Sequence, residues 1–228
     1  MKTIIAGLAS LMALCGCEAG ARSDSDLLAT DLTIKEKSGV YEFTAEIDPW
    51  LAQYPRVVQS LREEILNAKT GPDGCIDTLP CFDSMEWEMQ YAGNRLVSVI
   101  GITNSFYGGA HPVMKAQDRT YDIETGQVVR FGDLFNSWPA ARAILQEQWC
   151  DAVRFGNHTT CPSLEDQALA LSGGDTGASE IFVQTSDYAF GSYAEGSDKS
   201  YLSVTPELIA LAKPEYQSSF SLESNLCC

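Results

Sequence analysis

The most reactive side chains of this 228-residue sequence are its eight cysteines, and the first two of them lie in a short motif. The motif, Leu14-Cys15-Gly16-Cys17, follows a basic start at Lys2 and an apolar run from Ile4 to Leu14. This three-part layout is typical of a secretory signal. The Leu-x-Gly-Cys pattern resembles the lipobox that lipoprotein signal peptidase reads. The sequence therefore predicts that residues 1–16 are removed and that the thiol of Cys17 is lipidated.

The apolar run is too short to remain as a membrane span. It provides about eleven residues, whereas a transmembrane helix needs about 20. An ordinary cleaved signal followed by an incidental cysteine is the alternative to lipidation. Acyl chains on Cys17 would hold the protein at a membrane permanently. Because Glu18 rather than an aspartate follows Cys17, we expect a cell-envelope lipoprotein of the outer membrane, facing the periplasm or the surface.

The six cysteines after the motif favour an oxidising compartment. Six cysteines allow 15 pairings, and local pairing is the most economical. Two disulfides would then each close a short loop, namely Cys75–Cys81 and Cys150–Cys161.

The remaining cysteines, Cys227 and Cys228, have no evident partner in the sequence. A zinc site is the rival interpretation of the cysteines. However, paired Cys-x-x-Cys spacing is absent, and only His111 and His158 could add nitrogen ligands. We therefore expect neither a metal nor a cofactor.

The charge balance limits the partners of the chain. Its net charge is −16, with 31 acidic against 15 basic residues. Nucleic acid is disfavoured because phosphate binding needs a cationic face. An acidic surface can simply confer solubility, or it can steer a cationic partner towards the protein.

Apolar periodicity predicts an α+β fold: an antiparallel sheet with helices packed mainly on one face, in one body or two lobes. We expect strands at 40–48, 85–91, 96–107, 117–123, 127–130, 181–185 and 201–204. Helices are expected between residues 51 and 70, at 138–153, from Ser163 to Gly173-Gly174, and from Pro206 to Leu211.

Composition divides the chain into five segments. They are a signal peptide (1–16), a flexible tether (17–26), an N-terminal α+β subdomain (27–116), a C-terminal subdomain (117–214) and a tail (215–228).

Five blocks of sequence carry a more specific signal: Tyr107–Pro112, Thr120–Gly126, Asp133–Phe135, Phe190–Gly196 and Val204–Leu208. In order and spacing they resemble an extracytoplasmic family of unknown function. This family includes the ectodomain of the lysozyme-sensing anti-sigma factor RsiV and the N-terminal region of the peptidoglycan deacetylase PdaC. The resemblance spans about Leu32 to Pro214. It implies a ligand-sensing role with lysozyme as the precedent.

The blocks also supply the candidate ligand-binding residues. Glycines 108 and 109 suit positive φ or close approach. His111 lies where a strand meets a loop, so it either holds that loop or contacts a ligand. Aromatic side chains in the glycine-rich loops either plug the end of the sheet or face a partner. The full candidate set is Tyr107, Gly108, Gly109, His111, Tyr193 and Glu195.

Three functions are compatible with the sequence. A noncatalytic envelope domain would bind a cationic protein such as lysozyme, or a cell-wall glycan. A cell-wall hydrolase is the second, although Gly-x-Ser-x-Gly, His-Glu-x-x-His and Ser-x-x-Lys motifs are missing. It would need His111 to meet Asp118 or Asp122 in a cleft. A structural envelope component is the third. We expect the first, and not an enzyme.

Replacing Cys17 with serine tests the lipidation prediction. The Cys17 thiol is the group that the predicted lipobox presents for diacylglycerol, so Cys17→Ser should abolish incorporation of a fatty-acid label. The variant should also move from the detergent-rich to the aqueous phase in detergent partitioning. Cys15→Ser, which leaves Cys17 in place, is the control and should remain labelled. Labelling of Cys17→Ser would refute the assignment.

Overall fold

The computed structural model describes residues 32–69, 71–76, 79–155, 160–174, 176–190 and 196–222. They form an α+β fold with one six-stranded sheet and one three-stranded sheet, so the predicted fold class is confirmed. None of the helices in these ranges is long and apolar enough to cross a bilayer. Several predicted features lie outside the described residues: the signal, Cys17, the tether, His158, Tyr193, Glu195, Cys227 and Cys228.

The strands of the six-stranded sheet lie in chain order. They are β1 (Thr33–Ser38), β2 (Tyr41–Ile47), β3 (Cys81–Ala92), β4 (Leu96–Phe106), β5 (Val113–Asp122) and β6 (Val128–Val129). Every neighbouring pair is antiparallel except β2 and β3, which run parallel. A parallel pair needs a crossover connection. Helix α1 (Pro55–Ala68), preceded by a 3-10 turn at Pro49–Gln53, lies in that connection.

Helix α1 covers the inner face of this sheet. Its apolar side chains recur every three or four residues, and Val58, Leu61 and Ile65 are buried. On β2, alternate side chains from Tyr41 to Ile47 are buried on the same side. The two stripes meet in one cluster. The alternation and the helical periodicity read from the sequence therefore describe one contact, between α1 and the sheet.

The three-stranded sheet covers the outer face of the first. It contains β7 (Ala168–Gly174), β8 (Gly177–Gln184) and β9 (Lys199–Ser203), all antiparallel. Ala168 and Ala170 of β7 pack with Ile100 of β4. Leu169 and Leu171 point the other way, towards helix α2 (Trp138–Phe155). The fold is thus four layers: α1, sheet, sheet, α2. A short helix, α3 (Pro206–Leu211), is capped by Thr205 as predicted.

The predicted helix from Ser163 to Gly173-Gly174 is wrong. Ser163 caps only a single 3-10 turn, Leu164–Asp166, after which the chain extends into β7. Alanine and leucine favour helices. Here they alternate along a strand, so the alanines are buried on one face of β7 and the leucines on the other. The glycines lie at the β7–β8 turn, where a Cβ on Gly173 would lie 2.6 Å from the carbonyl oxygen of Gly177.

The other predicted elements are confirmed, with small shifts at their ends. The predicted subdomain boundary between residues 116 and 117 falls inside β5. The division between the two sheets lies later, between β6 and β7.

The turn that follows β5 joins the sheet to α1. Asp122 accepts hydrogen bonds from the backbone N–H groups of Glu124 and Thr125 and from the Thr125 hydroxyl, at 3.0–3.1 Å. The Ser60 hydroxyl of α1 donates to the Gly126 carbonyl at 2.8 Å. Gly126 has φ +70°, and a Cβ there would lie 2.8 Å from the Arg56 carbonyl oxygen. Residue 126 of the predicted turn therefore has to be glycine for two reasons: its φ is positive, and a side chain would collide with the backbone of Arg56.

Replacing Asp122 with alanine tests this turn. Three N–H or O–H donors and the Arg95 side chain lose their acceptor. We expect the free energy of unfolding to fall by about 1–3 kcal/mol at pH 7, measured by urea denaturation. Glu124→Ala, in the same turn but with an exposed side chain, is the control and should change it by less than about 0.5 kcal/mol.

The same variant should show a defined pH dependence. Burial alone raises the pKa of Asp122, but hydrogen bonds from Thr125 and Arg95 outweigh it and hold the pKa below its ordinary value. The stabilisation that the ionised Asp122 carboxylate gives the fold is therefore present above about pH 4. It is lost as the pH falls through the lower pKa of the folded state. The difference in free energy of unfolding between wild type and Asp122→Ala should therefore become smaller as the pH is lowered. A difference that grows below pH 4 would contradict this assignment.

Candidate functional site

The connection between β4 and β5 forms the candidate site. A cavity of about 440 Å³ opens at the tip of this hairpin; we name it the hairpin-tip pocket. It is lined by Ser105, Phe106, Tyr107, Gly108, Gly109, His111, Val113 and Lys115. The structure thus brings together four of the six predicted ligand-binding residues: Tyr107, Gly108, Gly109 and His111.

Tyr107 is fixed from below by a buried carboxylate. Asp83 of β3 is 2% exposed, and its Oδ2 atom accepts hydrogen bonds from the hydroxyls of Tyr107 and Tyr41, the latter at 3.0 Å. Burial, reinforced by Asp83, raises the pKa of Tyr41 far above its ordinary value. The Tyr41 hydroxyl therefore stays protonated and remains a donor. The ring of Tyr107 accordingly forms part of a rigid floor rather than a free contact surface.

The predicted disulfide Cys75–Cys81 is present and closes the loop that lies against the pocket. A Cβ on Gly74 would lie 3.3 Å from the Tyr107 ring. The second predicted disulfide, Cys150–Cys161, ties the end of α2 to the segment before β7. Both local pairings inferred from loop length are therefore confirmed.

The two glycines of the pocket differ. Gly108 has φ +90°, and a Cβ there would lie 2.9 Å from the Ile76 side chain, which agrees with the prediction. Gly109 has neither a positive φ nor an atom within 4 Å of such a Cβ. The prediction that Gly109 serves positive φ or close approach is therefore wrong. Its open surroundings leave space at the pocket.

The side chain of His111 contacts the backbone of the next residue in the loop. Its Nδ1 atom lies 2.9 Å from the carbonyl oxygen of Pro112, and because a carbonyl only accepts, Nδ1 carries the proton. Asp118 and Asp122 pair with Ile100 and Leu96, far from the tip. At roughly 3.3 Å per residue, they lie about 16 Å and about 30 Å along β5 from Val113. The structure does not bring His111 to either carboxylate.

Both aspartates are instead part of the scaffold. Asp118 faces the second sheet, where burial raises its pKa although the backbone N–H of Leu169 donates to it. Asp122 organises the turn after β5. Across the described ranges, no group of three His, Cys, Asp or Glu side chains is placed to hold a metal ion.

Sequence reasoning missed further cavities, two of which depend on strand register. One, of about 280 Å³, lies between α1 and the inner face of the sheet; we name it the inner-face cavity. The other, of about 370 Å³, lies at the end of β2 and beside the middle of β3, next to Glu46, Asp48, Glu86 and Glu88. The inner-face cavity depends on the register of β3, β4 and β5, and the other cavity depends on the register of β2 and β3. Without that register, no local pattern could have identified them.

Comparisons with known proteins give fold-level matches alone. No protein-family model matches the sequence, and no curated protein matches it. Two solved structures are similar to the chain: a DUF3298 family protein from Pseudomonas aeruginosa PAO1 and a member of the DUF3298 family from Bacteroides fragilis NCTC 9343. Each is 13% identical and covers 82% of this chain. The matches cover 94% and 93% of those chains, with TM-scores of 0.47 and 0.48.

Removing the Tyr107 hydroxyl tests the floor of the pocket. Tyr107→Phe deprives the buried Asp83 carboxylate of a donor, and a hydrogen bond to a charged group is worth about 1.5–3 kcal/mol. We expect the free energy of unfolding to fall by about that amount. Tyr201→Phe, on a residue that is 53% exposed, is the control and should change it by less than about 0.5 kcal/mol. Equal effects would show that Tyr107 is not anchored by Asp83.

Proposed function

We propose that the protein is a noncatalytic ligand-binding module of the bacterial cell envelope, tethered through lipid on Cys17. The observation that carries this proposal is the hairpin-tip pocket. Four candidate residues line it, and the Asp83 hydrogen bonds stiffen its floor. A preformed concave site on a rigid scaffold is the usual form of a binding site.

A cationic protein such as lysozyme is the partner that the charges favour. The net charge of −16 attracts a basic protein over long range and speeds its association. Acidic side chains cluster at the end of β2 and in the adjacent middle of β3, at Glu46, Glu86 and Glu88. Trp50, nearby in the chain, is 71% exposed, and exposed aromatic side chains are enriched at the centres of protein interfaces. A cell-wall glycan is the second candidate ligand.

The hydrolase alternative has less support. Its proposed His111 centre needed an aspartate, and both candidates lie along β5 away from the pocket. The side chains that surround the pocket include aromatic, glycine and basic residues, which suit recognition. A purely structural role in the envelope would leave the pocket without a ligand, so a binding experiment separates it from our proposal.

The experiment measures lysozyme binding to the full mature chain carrying Cys17→Ser, at about 50 mM and about 300 mM salt. We expect saturable binding that weakens with salt, because exposed charges are screened. Gly109→Leu adds a bulky side chain to a residue that lines the pocket, in open space with no atom within 4 Å of the added Cβ. This variant should bind at least about tenfold more weakly, as expected when an interface centre is blocked.

The matched control is Ala110→Leu, which adds a side chain at the next, exposed residue that does not line the pocket. It should bind as the parent does. Equal weakening in both variants would remove the pocket from the interaction. Absence of lysozyme binding at low salt would overturn the lysozyme form of the proposal.

A further inference from the structure

We propose that the hairpin-tip pocket takes a carboxylate group that carries a compact apolar substituent. This proposal rests on the proposed function, because it names the ligand chemistry of the same site. Two separate features of the pocket lead to it: the charge of its lining and the apolar side chains at its rim.

The charge of the lining sets this pocket apart from other cavities. Three further cavities in the described ranges have carboxylates in their walls, namely Glu46 and Glu86 beside β2, Glu64 between α1 and the sheet, and Asp118 at the β5–β6 edge. Among the described residues that line the hairpin-tip pocket there is no carboxylate, and the permanently charged side chain is that of Lys115. The chain has 31 acidic and 15 basic residues, so a cationic pocket is a local exception.

The Lys115 ammonium has no internal partner. No described residue forms an ion pair with it, and its side chain is exposed. Asp83 lies beneath the floor, but it is 2% exposed and does not line the pocket. One ammonium balances one negative charge. A carboxylate carries a single charge, whereas a phosphate monoester carries about two.

The sheet register supplies a second donor beside Lys115. Thr103 is the register partner of Lys115, and Ser105 is the partner of Val113. Because residues two apart on a strand share a face, Ser105 and Lys115 are diagonal neighbours, with about 7–8 Å between their backbone positions. A carboxylate has two oxygens. One can accept from the Lys115 ammonium and the other from the Ser105 hydroxyl.

The apolar part of the ligand is inferred from the rim. Ile76 and Leu79 are 51% and 42% exposed, and their side chains lie 2.9 and 3.3 Å from a Cβ added to Gly108. Phe106 and Val113 line the pocket itself. Covering such side chains removes apolar surface from water and is favourable. A ligand with an apolar group beside its charge makes both kinds of contact.

The volume and the net charge restrict the ligand further. The pocket holds about 440 Å³, near the lower end of the range of about 300–1,000 Å³ typical of ligand pockets, so the apolar group is compact. The net charge of −16 opposes any anion at long range. At physiological salt, however, the Debye length is only about 8 Å. Lys115, at contact distance, therefore decides the sign of the ligand.

The test is an NMR titration that follows the backbone N–H signals of Gly108 and Gly109 in the full mature chain carrying Cys17→Ser. Isobutyrate and N-acetyl-alanyl-alanine are added separately, as a free aliphatic acid and a peptide end. Their amides are neutral counterparts of the same size, and inorganic phosphate is the doubly charged probe. We expect a saturable shift with at least one carboxylate and at least about fivefold weaker binding of its amide. The carboxylate that binds more tightly identifies the source of the group.

A matched pair of variants assigns the charge. Lys115→Met removes the ammonium at similar side-chain length and should weaken carboxylate binding about five- to tenfold, while binding of the amide stays unchanged. Lys35→Met removes the same charge from an exposed residue of β1 that does not line the pocket. This control should bind the carboxylate as the parent does.

Four results would overturn the proposal. They are signals that stay in place with both carboxylates, equal binding of each carboxylate and its amide, equal carboxylate affinity in Lys115→Met and Lys35→Met, and tighter binding of phosphate than of both carboxylates.

Failure of this proposal is distinguishable from failure of the proposed function. If neither carboxylate binds but Gly109→Leu still weakens lysozyme binding, the ligand class is wrong and the site stands. If a carboxylate binds through Lys115 and lysozyme does not bind, the ligand class stands and the lysozyme form of the proposed function fails. If neither carboxylate nor lysozyme binds, both proposals fail.

Discussion

Strand β4 is covered on both faces, and the other layers are arranged around that burial. Every residue from Leu96 to Gly101 is buried. Helix α1 closes the inner face, while β7 closes the outer face through the small side chains of Ala168 and Ala170. The strands on either side, β3 and β5, satisfy the backbone of β4. A strand buried in this way cannot slip in register without exposing apolar side chains, so its far end presents the hairpin tip at a fixed place.

The sequence was informative wherever one face of an element is buried. The alternation in β2 and the spacing in α1 each identify their element and its buried side. The same reasoning failed at β7, because Ala-Leu-Ala-Leu is buried on both sides and lacks a polar face to mark a strand. The parallel pairing of β2 with β3 also escaped prediction, since periodicity reports burial and says nothing of strand direction.

At the candidate site, too, the sequence identified some of the features and missed others. Local signals identified the hairpin tip, because glycines and a histidine between two strands mark a turn with unusual residues. They did not reveal that Tyr107 is tied to Asp83, a contact between strands that depends on register. Nor could they reveal Trp87 lying over Gly101, which depends on the register of two neighbouring strands. Residues that serve both scaffold and surface are the hardest to assign from sequence.

The Cys75–Cys81 disulfide gives the hairpin-tip pocket a dependence on cellular location. Ile76 and Leu79 of the loop that it closes lie against Gly108, and Gly74, just before the loop, lies against Tyr107. Disulfides form and persist in oxidising compartments and are rare where thiols are kept reduced. A newly made chain in the cytosol would thus lack this crosslink. Under the proposed function, binding competence would mature only after export, and synthesis and activity would be separated in both time and place.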